Sequence, residues 1–130
     1  MATHSFRCEA QPEYRPEASD PGHGVYAFAY TITIENTGSV PAQLIARHWI
    51  ITDAQGHTQE VKGLGVVGQQ PLLRPGERFQ YTSGAQLRTP TGLMRGSYLV
   101  VAEDGTRFDT EVPAFVLDAG VAVAGERVLH

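Results

Sequence analysis

A glycine-rich stretch near the middle of the chain has the spacing of a phosphate-binding loop. Residues 62–71 read Lys-Gly-Leu-Gly-Val-Val-Gly-Gln-Gln-Pro, so Gly63, Gly65 and Gly68 form a Gly-x-Gly-x-x-Gly pattern. In a dinucleotide-binding fold this pattern follows a strand and opens a helix, whose amino terminus faces the pyrophosphate. Pro71 and the Pro-Gly pair at 75–76 leave no room for such a helix, because proline interrupts the hydrogen bonds of a helix. The pattern therefore does not predict a dinucleotide-binding fold.

Three interpretations of this glycine loop remain open. Its backbone N–H groups could surround an anion such as pyrophosphate or a nucleotide without any helix. Its glycines could instead supply positive φ angles and close backbone approach at a sheet edge or bulge. A third interpretation is a loop that contacts a protein partner. The candidate contact residues are Gly63, Gly65, Val66, Gly68, Gln69 and Gln70.

Metal-ligating residues are sparse. The five histidines form no His-x-His or His-x-x-x-His pair, and a single cysteine, Cys8, excludes an internal disulfide or a multi-thiolate zinc site. His48, Asp53 and His57 could meet across a hairpin and hold a divalent ion, which gives a metal-dependent hydrolase as a distant alternative. We expect no catalytic residue, no bound metal and no cofactor, and therefore a chain that is not an enzyme.

Length and charge indicate a single soluble domain. The chain has 130 residues, of which 42% are apolar and 18% charged, with a net charge of −4. The negative charge argues against nucleic-acid binding, which depends on neutralising phosphates. No apolar run approaches the roughly 20 residues that span a bilayer, and the first residues lack the features of a signal peptide. These features predict a cytoplasmic protein that is not inserted in a membrane.

The pattern around the loop is that of strands and turns. Residues 25–34 alternate with period two, and no window shows the apolar period of a helix. Residues 42–52 are apolar at both odd and even positions, so the pattern does not show which face of this strand is buried. We expect the face of Trp49 to be buried. Arg47 then lies on the same buried face, and its charged group must reach an edge or a partner. The predicted strands are 3–9, 25–34, 42–52, 57–62, 78–82, 96–102, 106–112 and 113–118.

Such short strands, joined by turns and without crossover helices, predict an antiparallel two-sheet β-sandwich of the immunoglobulin or fibronectin-type-III kind. We expect one domain over residues 1–130, with a core over 25–118, a loop over 10–24, a connection over 83–92 and an irregular tail over 119–130. The predicted core residues are Tyr26, Phe28, Ile32, Ile34, Trp49, Ile51, Phe79, Tyr81, Tyr98, Val100, Phe108 and Phe115.

Several segments together resemble the bacterial ApaG family. The most specific are residues 63–71, Gly-Leu-Gly-Val-Val-Gly-Gln-Gln-Pro, and residues 79–85, Phe-Gln-Tyr-Thr-Ser-Gly-Ala. Residues 26–36, 43–53 and 94–98 match in the same order, and the similarity runs from about residue 25 to the C-terminal Val-Leu-His. The first 24 residues match only loosely.

The resemblance implies a fibronectin-type-III-like sandwich and an interaction module, since the same domain occurs in F-box proteins and in a polymerase-δ-interacting protein. It also implies an indirect link to cobalt tolerance and magnesium efflux. Gly63, Gly65 and Gly68 match the family's glycine motif. We therefore expect a non-catalytic module that binds a protein partner, with a pyrophosphate or nucleotide binder as the alternative. Exposed strand edges allow a monomer or a weak homodimer.

Overall fold

Strands make up nearly all of the regular structure in the computed structural model, which describes residues 2–120. These residues contain no α-helix and two short 3-10 helices, Pro16–Ala18 and Pro21–His23, neither of which has the length or apolarity to cross a bilayer. The strands are β1 (Phe6–Tyr14), β2 (Tyr26–Asn36), β3 (Ala42–Asp53), β4 (Thr58–Leu64), β5 (Leu72–Leu73), β6 (Arg78–Leu87), β7 (Thr91–Ala102) and β8 (Arg107–Asp118). Of the predicted tail over 119–130, residues 121–130 lie outside the described residues.

The strands form two antiparallel sheets. One has the order β1-β2-β6, and the other has the order β4-β3-β7-β8, with β5 pairing with the first residues of β3. The core lies between the sheets, where the hydroxyl groups of Tyr81 on β6 and Tyr98 on β7 lie 2.5 Å apart. The predicted all-β, antiparallel two-sheet sandwich is confirmed. The finer likeness to an immunoglobulin or fibronectin-type-III domain stays a prediction.

Every predicted core residue is in the core or packs against it. The prediction omitted several residues that are fully buried, among them Leu44, Met94 and Leu117. Leu44 was omitted because the burial of β3 does not follow one parity. Ala42 and Leu44 face the core at the start of the strand, whereas Trp49 and Ile51 face it further on.

A β-bulge in β3 causes this change of face. Leu44 pairs with Val100 of β7 and Ala46 pairs with Leu99, so Ile45 is an extra residue without a partner on β7. Such an insertion shifts the alternation of side chains by one position. The expectation that the Trp49 face is buried is therefore right after the bulge and wrong before it.

The first strand is longer than predicted. β1 continues to Tyr14, through the first part of the predicted loop over 10–24, and pairs with β2 up to Phe28. Pro12 is tolerated because β1 has a strand on one side only, so the missing N–H interrupts no second ladder. The rest of that segment is ordered by Ser19, whose hydroxyl donates to the carbonyl of Arg15 and accepts from the amide of Ala27.

Two other predicted boundaries were wrong. The connection predicted over 83–92 is short, because β6 continues to Leu87 and β7 begins at Thr91. The strands predicted over 106–112 and 113–118 are the single strand β8. Its register with β7 shifts next to Pro113, and an irregularity of this kind accommodates a residue that cannot donate a hydrogen bond.

Candidate functional site

The glycine loop ends β4 in a tight reverse turn. The amide of Val66 donates to the carbonyl of Gln69 at 2.8 Å, and the amide of Gln69 donates back to the carbonyl of Val66 at 2.9 Å. The two residues between them have positive φ angles, 43° at Val67 and 80° at Gly68, as in a type I′ turn. A branched residue such as Val67 is strained in that region, and strain of this kind is concentrated at functional sites.

Each glycine of the pattern has its own structural reason. A Cβ atom on Gly63 would lie 2.7 Å from a guanidinium nitrogen of Arg47, whose side chain passes over this residue. Gly65 has a φ of 65°, and a Cβ there would collide with the carbonyl oxygen of Gln69. Gly68 has open space around it, so its reason is the positive φ of the turn. None of these reasons involves a phosphate.

The bulge and an arginine of β3 hold the loop in place. The carbonyl of the bulged residue Ile45 accepts hydrogen bonds from the amide of Gly65 at 2.8 Å and from Nε2 of Gln70 at 3.0 Å. The guanidinium of Arg47 donates to the carbonyls of Leu64 and Gly65, both at 3.0 Å. The expectation that Arg47 must reach an edge is confirmed.

These bonds leave few loop amides for an anion. The amides of Gly65, Val66 and Gln69 all donate to carbonyl groups of the chain itself. A phosphate on this loop would therefore depend on the other amides, such as those of Val67 and Gly68 at the tip.

β4 forms one edge of the larger sheet. It pairs with β3, and no strand among residues 2–120 pairs with its other side. The amide of Asp53 donates to the carbonyl of His57, and the amide of Gly65 donates to the carbonyl of Ile45. These two bonds identify the hydrogen-bonded pairs at the two ends of the β3–β4 ladder. Hydrogen-bonded pairs occur at every second residue of an antiparallel ladder. The odd-numbered residues of β4 therefore bond to β3, and the even-numbered residues direct their peptide groups to the open edge.

The side chains of β4 follow the same alternation. Val61 lies opposite the buried Trp49 and faces the inner side of the sheet. Glu60 and Lys62 face the outer side, where Oε2 of Glu60 lies 2.5 Å from Nε2 of His48 and 4.0 Å from Nζ of Lys62. The hydrogen bond from His48, reinforced by the charge of Lys62, lowers the pKa of Glu60. The outer side of the edge therefore carries one anionic and one cationic side chain, two residues apart.

Three apolar side chains project beside this edge. Leu64 at the end of β4 is 74% exposed, Val67 in the loop is 53% exposed and Leu72 in β5 is 54% exposed. None of the three is among the contact residues predicted from the sequence. The sequence does contain a sign of them. Val66 alone supplies the buried apolar contact of the loop, so the other apolar residues close to it are left for the surface.

A family model described as the ApaG domain matches residues 16–102. The chain belongs to the ApaG family. Protein ApaG of Acidovorax sp. strain JS42 is 67% identical over 128 residues, covering 94% of this chain and 93% of that protein. Protein ApaG of Ralstonia nicotianae is 55% identical over 130 residues, covering all of both chains.

Solved structures of similar chains have the same fold. The crystal structure of an ApaA protein from Bordetella pertussis is 55% identical, with a TM-score of 0.88, and the match covers 90% of this chain and 95% of that one. A structural-genomics X-ray structure, 45% identical, has a TM-score of 0.85 and covers 97% of this chain and 92% of its own. The structural similarity to these two chains thus extends over nearly the whole sandwich.

In this ApaG domain the candidate contact residues separate into buried and exposed ones. Val66 is fully buried in the core and Gly65 is buried beneath the turn, so neither presents a side chain to a partner. Their role as contact residues stays a prediction. Gly63 is half-buried under Arg47. Gly68, Gln69 and Gln70 are exposed, but the side-chain amide of Gln70 is bonded to Ile45.

The three residues of the hydrolase alternative do not form one site. His57 Nδ1 lies 3.5 Å from Oδ2 of Asp53 at the β3–β4 turn. Burial raises the pKa of Asp53, but the backbone amides of His57 and Gln55 outweigh it and lower that pKa overall. His48 lies earlier in β3, away from this turn, and its imidazole is hydrogen-bonded to Glu60 instead. Within residues 2–120, no group of three His, Cys, Asp or Glu side chains could hold a metal ion.

Proposed function

We propose that this ApaG domain is a non-catalytic binding module that contacts a protein partner through β4 and the loop that follows it. The open edge of β4 carries the proposal. An edge strand exposes unpaired N–H and C=O groups to any approaching extended segment, and proteins normally cover or shorten such strands. Here the edge is seven residues long.

The exposed apolar side chains support the same surface. Leu64, Val67 and Leu72 lie along one side of β3, the side away from β7, because both β4 and β5 pair there. Covering apolar side chains stabilises a complex by roughly 25 cal/mol per Å². Val67 occupies a turn position with a positive φ, where asparagine or glycine would be less strained than valine. A contact made by the valine side chain explains why a strained, exposed residue occupies the tip.

The nucleotide alternative has no observation in its favour. The loop amides that would form the anion site are mostly bonded inside the chain. A titration of the labelled protein with ATP or pyrophosphate, followed by the amide signals of residues 63–70, tests it directly. Saturable shifts at these residues would establish the alternative.

The cation link that the family resemblance implies is indirect in this proposal. A binding module would affect cobalt tolerance or magnesium efflux through a partner protein that handles the ions.

Site-specific photo-crosslinking in cells tests the proposed function. A benzophenone amino acid replaces Val67 in one variant and Val116, which is 58% exposed on β8, in a matched control. We expect a discrete crosslinked adduct from position 67 and none from position 116. Equal adducts at both positions, or none at either, would contradict the proposal.

A further inference from the structure

Two copies of β4, placed side by side in opposite directions, have complementary backbone groups and charges along their open edges. The outward-directed peptide groups of each copy belong to Thr58, Glu60, Lys62 and Leu64, which are the even-numbered residues of the strand. We propose that the partner of this edge is a second copy of the chain, whose β4 pairs antiparallel with the first across a two-fold axis at Val61. This inference rests on the proposed function and narrows it to one partner.

The backbone positions fit this arrangement. With the axis at Val61, Glu60 lies opposite Lys62 of the partner subunit, and Thr58 lies opposite Leu64 of the partner subunit. Both pairs join even-numbered residues, whose N–H and C=O groups are the ones that face the open edge. Each Glu60–Lys62 pair can therefore exchange two backbone hydrogen bonds, as in a regular antiparallel ladder. In the Thr58–Leu64 pairs the carbonyl of Leu64 already accepts one hydrogen bond from Arg47, so a bond across the axis would be its second.

The charges select this register. An axis at Glu60 would place two carboxylates directly opposite each other, and an axis at Lys62 would do the same with two ammonium groups. Like charges directly opposite each other on a sheet are destabilising, and opposite charges are stabilising. With the axis at Val61, each Glu60 meets Lys62 of the partner subunit, so both cross-strand pairs are attractive.

The inner side of the edge agrees with the same axis. Val61 would lie beside Val61 of the partner subunit at a non-hydrogen-bonded position, where side chains are closest. Val61 is 37% exposed although it faces the inner side of the sheet, so the three-stranded sheet does not fully cover it. Pairing would cover this side chain and join the two larger sheets into one continuous sheet, with both smaller sheets on the same face.

The size of the contact sets how strong the dimer is. Each copy offers one strand of seven residues, which is less than the interface of a permanent complex. We therefore expect a dimer that forms as the concentration of the protein rises. The measurement is sedimentation velocity between roughly 10 µM and 1 mM, where small interfaces become populated.

Charge exchange tests the register. Glu60→Lys alone, or Lys62→Glu alone, turns both symmetry-related pairs repulsive and should weaken association roughly tenfold or more. The double variant restores opposite charges and should dimerise again. An equimolar mixture of the two single variants should form a heterodimer, since Lys at 60 and 62 of one copy then meets Glu at both positions of the other.

Matched charge changes elsewhere act as controls. Glu103→Lys and Arg107→Glu alter exposed residues at the β7–β8 turn by the same charge and should leave association unchanged. Circular dichroism confirms that each variant is folded. A wild-type chain that stays monomeric over the whole concentration range would overturn the inference, as would equal weakening by the controls or no recovery in the double variant. In that case a crosslinked adduct of another mass at position 67 would still support the proposed function.

Discussion

Adding one methyl group at Gly65 should destabilise the chain far more than adding one at Gly68. Both residues lie in the glycine loop and both have positive φ angles, 65° and 80°. They differ in what a new Cβ atom would meet. At Gly65 it would collide with the backbone carbonyl of Gln69, whereas at Gly68 nothing lies within 4 Å.

The expected magnitudes follow from these contacts. Alanine in the left-handed region costs about 1 kcal/mol, which is the whole effect expected for Gly68→Ala. In Gly65→Ala the carbonyl of Gln69 must also move, which breaks the paired hydrogen bonds between Gln69 and Val66. Two such bonds contribute about 2 kcal/mol, and partial exposure of Val66 adds about 1 kcal/mol. The total for Gly65→Ala is about 4 kcal/mol.

Urea unfolding measures both variants. The chain has one tryptophan, Trp49, which is buried in the core and reports unfolding by fluorescence. We expect a large fall in the midpoint for Gly65→Ala and a small fall for Gly68→Ala, with similar slopes against urea. Equal losses in the two variants would show that the turn is not held by the Val66–Gln69 pair.

Three further outcomes are expected. Tyr81→Phe or Tyr98→Phe alone should cost about 1–3 kcal/mol in urea unfolding, because the remaining buried hydroxyl loses its partner, and the double variant should cost less than the sum. Burial raises the pKa of the Cys8 thiol to about 12, so a thiol reagent at pH 8 should react with the native chain only as fast as it opens, and rapidly with the unfolded chain. The Thr106 amide, helped by His4, lowers the pKa of Asp104 from 3.8 to about 2. The stability from ionised Asp104 is then complete above pH 4 and lost toward pH 2, so wild type and Asp104→Asn should converge in thermal unfolding over that window.

The sequence predicts the strands better than it predicts their faces. In β2, apolar and small residues alternate without interruption, so the pattern gives the strand and its buried side together. In β3, both parities are apolar, and the face depends on a bulge at Ile45 that arises from pairing with β7, far along the chain. Local periodicity contains no information about such a pairing, so Leu44 was assigned to the wrong side.

The glycine motif shows a similar limit. The spacing of its glycines is compatible with several structural roles. Which role each glycine has depends on contacts with residues that are distant in sequence. Arg47 passes over Gly63, and the carbonyl of Ile45 receives the amide of Gly65. The order of strands in the sheet is also non-local, so the sequence could not indicate that β4 lies at one end of its sheet.

The attachment of the loop to Ile45 and Arg47 has a consequence for the energetics of recognition. A loop that is tied to its own sheet before any partner arrives loses little conformational entropy when it is contacted. Association with the proposed partner would then be a docking of preformed surfaces rather than coupled folding. The heat-capacity change of complex formation should accordingly correspond to the apolar area that is covered, without a contribution from ordering the chain.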